Sequence, residues 1–584
     1  MTMHLIIFAV VGIFNPALAK QLIPRCLSGV CDARPEPFDW SSIKTYADLR
    51  YQHCYDTFEC ARLSLPLDYH SATDTHNISL AVIRLPAAVP EDDPRHGGSI
   101  MINPGGPGGS GVQFAVSHAK RLQEGLGTAD KHFEIVSFDP RGILHSKPNL
   151  YCFATPFESE VWTREKHARG NLDAGEDVVN WQWTYEMAMG RVCEGSQTGK
   201  WEDGTDLRRF VSTAFVATDM LKLVERIDER KQASTSLLVD AIQTPMDSTT
   251  RRESKLQFYG QSYGTFLGQA FAAMYPESVG RMILDSNIDG DNWTSDHEYS
   301  IDDTETIIEY FFEQCAKVKD ACAFWRSGDR DGDDVKHRHA ELLARLEQQP
   351  ALVIGQGHAT IITPDQLLQA AFMAAYQPGS FFPGFAQLLD DLFAGRSVTS
   401  EQVFWEAGPL TYKTFASEES AHILQNTEIG ASIHCSDGPD LTDHNQSSFL
   451  WHLHDLVRMF PQAGAIQAEY KLPCWTMPPS LRTKWRYEGP FESNATPSIL
   501  FINNRLDPAT PAKSARKMAK RFTGSKLVIS ENVGHAALWT GGECLWAHAR
   551  QYMQDGTMPE EHESWCGAVG EPFGSQEEQV SGGL

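Results

Sequence analysis

Leu256-Gln-Phe-Tyr-Gly-Gln-Ser262-Tyr-Gly264-Thr is the stretch that decides the reading of this chain. Residues 256–259 are apolar and aromatic, the composition of a short buried strand. Gly260-Gln-Ser262-Tyr-Gly264 then forms a G-x-S-x-G pentapeptide, and Gly264, Gly268, Ala270, Ala272 and Ala273 follow as the small-residue face of a helix. A nucleophilic serine must stand on a sharp strand-to-helix turn, clear of the sheet edge. Flanking glycines tolerate that turn and let strand and helix approach closely. The pentapeptide alone also occurs by chance, as a glycine-flanked structural serine. The strand before it and the helix after it are what give it weight.

Outward from this turn, strands alternate with helices. Residues 99–103, 133–138 and 281–285 are short apolar runs, and 210–227 has helical spacing of apolar residues. That alternation predicts βαβ units and a mostly parallel sheet. Two earlier runs, 63–67 and 78–85, flank the polar stretch 70–76 and predict a hairpin. Residues 232–254 are polar and irregular and read as a surface insertion. From about 291 to 470 the strand rhythm stops and 306–318, 334–348, 364–376 and 385–394 are helix-like; it resumes at 498–502 and 526–529. The fold class expected is therefore α/β: an α/β-hydrolase fold, a mostly parallel sheet with an inserted helical cap domain. The expected division is 1–19 signal peptide, 20–290 first core part, 291–470 cap, 471–573 second core part, and a disordered tail at 574–584.

A serine hydroxyl needs a base to take its proton. In this fold the partners follow the nucleophile in the order acid, then histidine. The strand at 498–502 leads to Asn503-Asn-Arg-Leu-Asp507-Pro-Ala-Thr-Pro511, and the strand at 526–529 leads to Glu531-Asn-Val-Gly-His535. Asp507 and His535 are both loop residues past strand ends, where catalytic groups of open α/β sheets gather. The 28 residues between them leave room for one helix and one strand. The expected triad is Ser262, Asp507 and His535. The bland alternatives are a helix-cap aspartate and a surface imidazole. A tetrahedral intermediate also needs N–H donors. Tyr263 N–H, directly after the nucleophile, is one; the glycine-rich turn Pro104-Gly-Gly-Pro-Gly-Gly109 offers Gly106 as the other. That turn lacks the Lys of a phosphate-binding loop.

Composition sets the boundaries. With 584 residues, the chain exceeds a single hydrophobic core. Its net charge of −26, without a Lys/Arg run, argues against nucleic acid as partner. Residues 5–14 are apolar and Ala17-Leu18-Ala19 is a cleavage pattern that predicts a mature start at Lys20, although the n-region lacks Lys and Arg. Secretion without a membrane anchor is thus expected. The 12 cysteines fit an oxidising compartment, and Cys26/Cys31, Cys54/Cys60 and Cys315/Cys322 are close enough for local bridges. Asn77, Asn292, Asn445 and Asn494 head glycosylation sequons. No cofactor and no metal is expected. There is no C-x-x-C, and His337/His339 and His452/His454 are i, i+2 pairs that point apart on a helix. Asp329-Arg-Asp-Gly-Asp-Asp334 lacks the glycine and the closing glutamate of a calcium loop.

Several motifs, in order, resemble the secreted tripeptidyl-aminopeptidase-like branch of the prolyl-aminopeptidase group of α/β-hydrolases, with its TAP-like C-terminal region. They are Asn103-Pro-Gly-Gly-Pro-Gly-Gly-Ser-Gly111, Asp139-Pro-Arg-Gly142, Gly260-Gln-Ser-Tyr-Gly-Thr265, Arg281-Met-Ile-Leu-Asp285 and Asp507-Pro-Ala-Thr-Pro511. Ser64-Leu-Pro-Leu-Asp68, Ala431-Ser-Ile-His-Cys-Ser-Asp437 and Gly556-Thr-Met-Pro559 are similar to further landmarks. The resemblance spans about Cys54 to Phe573. It implies a helical cap and release of short peptides or single residues from free N-termini, and it brings Asp437 near the site. Leu144 departs from it, standing where the family has glycine, and 232–254 is extra sequence. The expected partner is a peptide or small acyl substrate, because an ester hydrolase would use the same triad. Acids of the cap, among them Asp302, Glu305, Glu309 and Glu313, are candidates to hold a substrate ammonium. Activity is expected to fall near pH 6–7 as an ordinary histidine protonates.

Overall fold

Runs of β-branched and aromatic residues that are apolar on both sides need cover on both faces. In the computed structural model they form one sheet of 11 strands. The described residues are 38–574 apart from 168, 240–253, 296–299, 355–358, 397–417, 442 and 495–496. The expected signal segment, Cys26, Cys31 and the tail after Gly574 lie outside them.

The strands are β1 Thr45–Tyr46, β2 Gln52–Cys54, β3 Phe58–Pro66, β4 Asn77–Leu85, β5 His96–Asn103, β6 His132–Asp139, β7 Leu256–Gln261 and β8 Val279–Asp285. A two-stranded hairpin, β9 Ala351–Ile354 and β10 Ala359–Ile362, lies apart from the sheet. β11 Leu500–Leu506, β12 Lys526–Val533 and β13 Glu563–Cys566 complete it. The order is β1-β3-β4-β6-β5-β7-β8-β11-β12-β13, with β2 on β3. From β6 to β13 every pairing is parallel. β3 and β4 form the expected hairpin, closing on Pro66 opposite Asn77.

One apolar core holds Phe215, Phe266, Met518 and Ile529 under the helices Thr213–Val239, Tyr263–Met274 and Ala512–Arg521. The other holds Val112, Leu122, Trp546 and Tyr552 under Gly111–Leu126 and Gly542–Asp555. The sheet is thus a filled layer between two helical layers, the α/β-hydrolase architecture.

The cap enters between β8 and β11. A third core, with Phe311, Leu342, Leu367 and Phe385, packs the helices Thr304–Val318, Gly332–Gln348, Pro364–Tyr376 and Pro378–Phe393. A fourth joins Leu172 and Val179 to Leu456, Leu472 and Trp475. Here the structure corrects the expected division. Pro156–His167 and Glu176–Gly195, which fall inside 20–290, are helices that pack with the cap rather than with the sheet. Glu428 accepts from Cys152 N at 2.6 Å and from Ser159 Oγ at 2.5 Å. The boundary at 470 also fails, because helix Gly464–Thr476 runs through it and the sheet resumes only at Leu500. A boundary cannot fall inside a helix whose apolar side is buried. Helix Thr213–Val239 runs through the first part of the stretch 232–254 expected to be irregular, and 240–253 lie outside the described residues.

Among the described residues five disulfides are formed: Cys54–Cys60, Cys152–Cys193, Cys315–Cys322, Cys435–Cys474 and Cys544–Cys566. Two of them are the expected short local bridges. Among the described residues no helix is long and apolar enough to cross a membrane. Leu144, at the family's glycine position, has φ 30°, a backbone region that favours glycine.

The Asp139-Pro-Arg-Gly142 turn is held by a fully buried ion pair. Arg141 Nε and Nη2 donate to Asp219 at 2.6 and 2.7 Å, and Nη1 donates to Leu67 O and Phe210 O. Removing one partner strands the other charge in the core. Asp219→Ala is expected to cost about 3–5 kcal/mol, read as a lowered midpoint in chemical denaturation. An Arg141→Met/Asp219→Leu double variant should recover much of that loss; equal loss in both would contradict this account.

Candidate active site

The turn after β7 is strained. Ser262 has φ 57° and ψ −128°, and helix Tyr263–Met274 starts at the next residue. A non-glycine residue held there costs on the order of 1–3 kcal/mol and is kept in place by its surroundings. The surroundings are close. A Cβ on Gly260 would lie 2.4 Å from Gly264 O, and one on Gly264 would lie 2.7 Å from Asn103 O. Both glycines of the pentapeptide are therefore required by packing. Ser262 N donates to Asp285 O at 3.0 Å.

Asp507 follows β11 and is fully buried. Its Oδ1 accepts from Ala509 N at 3.0 Å and from Thr510 N at 2.9 Å. His535 follows β12, and its Nδ1 lies 2.9 and 3.0 Å from the two Asp507 oxygens. Thr510 Oγ1 is 3.3 Å from the same nitrogen. This contact fixes the tautomer: Nδ1 carries its proton toward Asp507 and Nε2 is left as the acceptor. Burial alone would push the imidazole down. The Asp507 charge and hydrogen bond, with Asp285 behind them, outweigh burial and hold it above its usual 6.5. No hydrogen bond joins Ser262 Oγ to His535 in the structure.

Asp285 brings the two loops together. Its carboxylate accepts from Ala537 N at 2.9 Å, Leu538 N at 3.0 Å and Tyr259 OH at 2.9 Å, and Ser286 Oγ accepts from Ala536 N at 2.9 Å. Burial pushes this carboxyl up to about 6 against those donors. In the sequence Asp285 is only a family landmark, because nothing in its local pattern shows what it touches.

The glycine-rich turn lies over the Ser262 turn. A Cβ on Gly105 would sit 2.8 Å from Tyr263 N and 2.9 Å from Ser262 Cβ. Gly105 N–H is committed to Asn103 Oδ1 at 3.0 Å. Gly106 N–H and Tyr263 N–H make no such backbone bond among the described residues. Asp139 anchors the helix that follows, accepting from Ser110 Oγ at 2.6 Å and Val112 N at 3.0 Å.

The cap touches each loop. Asp507 N donates to Asp303 Oδ2 at 3.0 Å, Thr304 Oγ1 donates to Pro508 O at 2.8 Å, and His535 N donates to Tyr376 O at 2.7 Å. Asp437 accepts from Thr213 N and Thr213 Oγ1, both at 2.7 Å, and the Thr213 hydroxyl also bonds Tyr263 OH. Burial pushes Asp303 and Asp437 each up to about 6.

Three of the four acids singled out for an ammonium are otherwise occupied, and the fourth, Glu313, is exposed on its helix. Glu305 accepts from Gln462 N at 2.7 Å and Ala463 N at 3.2 Å, Glu309 pairs with Lys336, and Asp302 pairs with Lys513. Asp303, the neighbour of one of them, is the acid beside the site. Cys544, His548 and Cys566 cluster, but the two sulfurs are joined in a disulfide and cannot act as thiolate ligands. Asn77, Asn445 and Asn494 are exposed and Asn292 is half-buried.

Residues 460–566 match the family model described as TAP-like protein. The chain is 24% identical over 528 residues to the serine protease Hip1 of Mycobacterium tuberculosis H37Rv, covering 86% of each. It is 22% identical over 504 residues to the tripeptidyl aminopeptidase of Streptomyces lividans, covering 85% of this chain and 82% of that one. It is 25% identical over 533 residues to a protein named carboxylesterase B from Mycobacterium tuberculosis, covering 86% and 85%. The chain thus has the α/β-hydrolase fold, with an inserted helical cap and a C-terminal region, residues 460–566, that matches the TAP-like family model.

Proposed function

We propose that the chain is a secreted serine exopeptidase that releases short peptides from free N-termini through an acyl-enzyme. The observation that carries this reading is the buried Asp507–His535 pair and a serine held at positive φ, their two loops both bonded to Asp285. Relatives named serine protease and tripeptidyl aminopeptidase, matched over most of their length, support the substrate class.

In this mechanism His535 Nε2 takes the Ser262 proton as Oγ attacks the scissile carbonyl. Gly106 and Tyr263 N–H groups hold the oxyanion that forms. The imidazolium returns the proton to the leaving amine, and water repeats the cycle to free the acyl group. Asp507 keeps the ring oriented and stabilises its cation. The cap, tied to Asp507 and His535, limits access to short chains. The signal pattern, the exposed sequons and the five disulfides agree with export.

A second reading, hydrolysis of small carboxylic esters, is favoured by the relative named carboxylesterase B. Offering the enzyme peptide amides with free and acetylated N-termini, beside simple esters, separates the two. Loss of turnover on acetylation is expected; ester-only turnover would overturn the peptidase reading.

Ser262→Ala should abolish labelling by a fluorophosphonate and lower kcat by about 10⁴–10⁶-fold, and Asp507→Asn by about 10⁴-fold. Unchanged labelling of Ser262→Ala would exclude it as nucleophile.

The base must be neutral to act, so activity is lost as pH falls through the His535 pKa. Because that value is raised, the acid limb should have its midpoint above 6.5. Asp285→Asn removes one of the charges that raise it and should move the midpoint down. An acid limb unmoved by Asp285→Asn would show that this carboxylate does not reach the imidazole.

A further inference from the structure

A cavity of about 550 Å³ opens beside the Ser262 turn. Its wall includes Pro104 next to the oxyanion glycines, Gln261 next to Ser262, and Ala536 next to His535. The His535 loop contributes Asn532 and Val533 before His535 and Trp539 and Thr540 after it, and the first helix of the core contributes Phe114, His118 and Arg121. The base delivers its proton to the leaving amine, so the leaving fragment lies on the base's side of the scissile bond. The cavity wall carries residues that precede and follow His535 in its loop, Val533 and Ala536 among them.

Its charges are unequal. Glu531 is paired with Arg505 at 3.2 Å and Glu571 with Lys317 at 2.6 Å. Arg121 lies over the rings of Trp539 at 5.3 Å and Trp546 at 6.0 Å. Among the described residues it has no carboxylate partner. In a chain of net charge −26, this cation without an acid lines the same cavity as Gln261, the residue before Ser262. Trp539 is held in place by donating from Nε1 to Gln261 Oε1 at 2.7 Å and by the edge of His118 at 5.0 Å. Burial first, and the Arg121 charge in addition, push His118 below its usual value, which leaves the guanidinium as the cation at the site's working pH. A guanidinium braced on an indole is well suited to a planar carboxylate.

We propose that this cavity receives the leaving part of the peptide, and that Arg121 holds its free C-terminal carboxylate over the Trp539 ring. The enzyme is thereby a selector of short, free-acid oligopeptides. This rests on the exopeptidase reading and adds the substrate's far end to it.

The test compares kcat/KM for matched peptides of four to seven residues, N-terminus free, ending as free acid or as amide. The free acid should be preferred about tenfold at low salt. Arg121→Gln should remove that preference by slowing the acids alone, and Arg121→Glu should reverse it. Fluorophosphonate labelling of Ser262 should be unchanged in both variants, which shows that the site is intact. Equal turnover of acid and amide by the unaltered enzyme, or equal slowing of both by Arg121→Gln, would overturn the proposal while leaving the exopeptidase reading in place. Turnover of esters alone would instead remove the exopeptidase reading, and this proposal with it.

Discussion

One residue joins the two halves of the site. Asp285 ends β8 with its main-chain oxygen accepting from Ser262 N and its carboxylate accepting from Ala537 N, Leu538 N and Tyr259 OH. The nucleophile turn and the histidine loop come from opposite sides of the inserted cap in sequence. They meet because both hang on the end of one strand, and a parallel sheet aligns those ends. The strained φ of Ser262 persists because this anchor and the two flanking glycines leave it no room to relax.

The cap is part of that frame. Asp303 and Thr304 hold the backbone of Asp507 and Pro508, and Tyr376 O holds the His535 amide. Asp437 reaches Tyr263 through Thr213. A helical layer bonded to Asp507, to His535 and, through Thr213, to Tyr263 covers the buried Asp507–His535 pair. In such surroundings charge interactions are stronger than at the surface.

The electrostatics follow from that burial. Asp285, Asp303 and Asp437 are each pushed up to about 6 by desolvation, with N–H and hydroxyl donors opposing it. His535 experiences the opposite balance: burial favours the neutral ring, yet two nearby carboxylates outweigh it. An imidazole so placed is a stronger base than one in water and requires a higher pH to be free.

Much of this was legible in the chain itself. Strand composition, the glycines around Ser262 and the order serine, aspartate, histidine each have a local physical cause, so the α/β architecture and the Asp507–His535 contact could be expected from residues 256–264, 507 and 535. What touches what across the insertion could not. The helices between 156 and 195 join the cap, Asp285 and Asp303 become neighbours of the acid and base, and Arg121 faces a cavity at the site's edge. Periodicity reports which side of an element is apolar, but it carries no record of its partner. Buried carboxylates look like surface ones until packing removes their water, so only the tertiary structure could assign these groups.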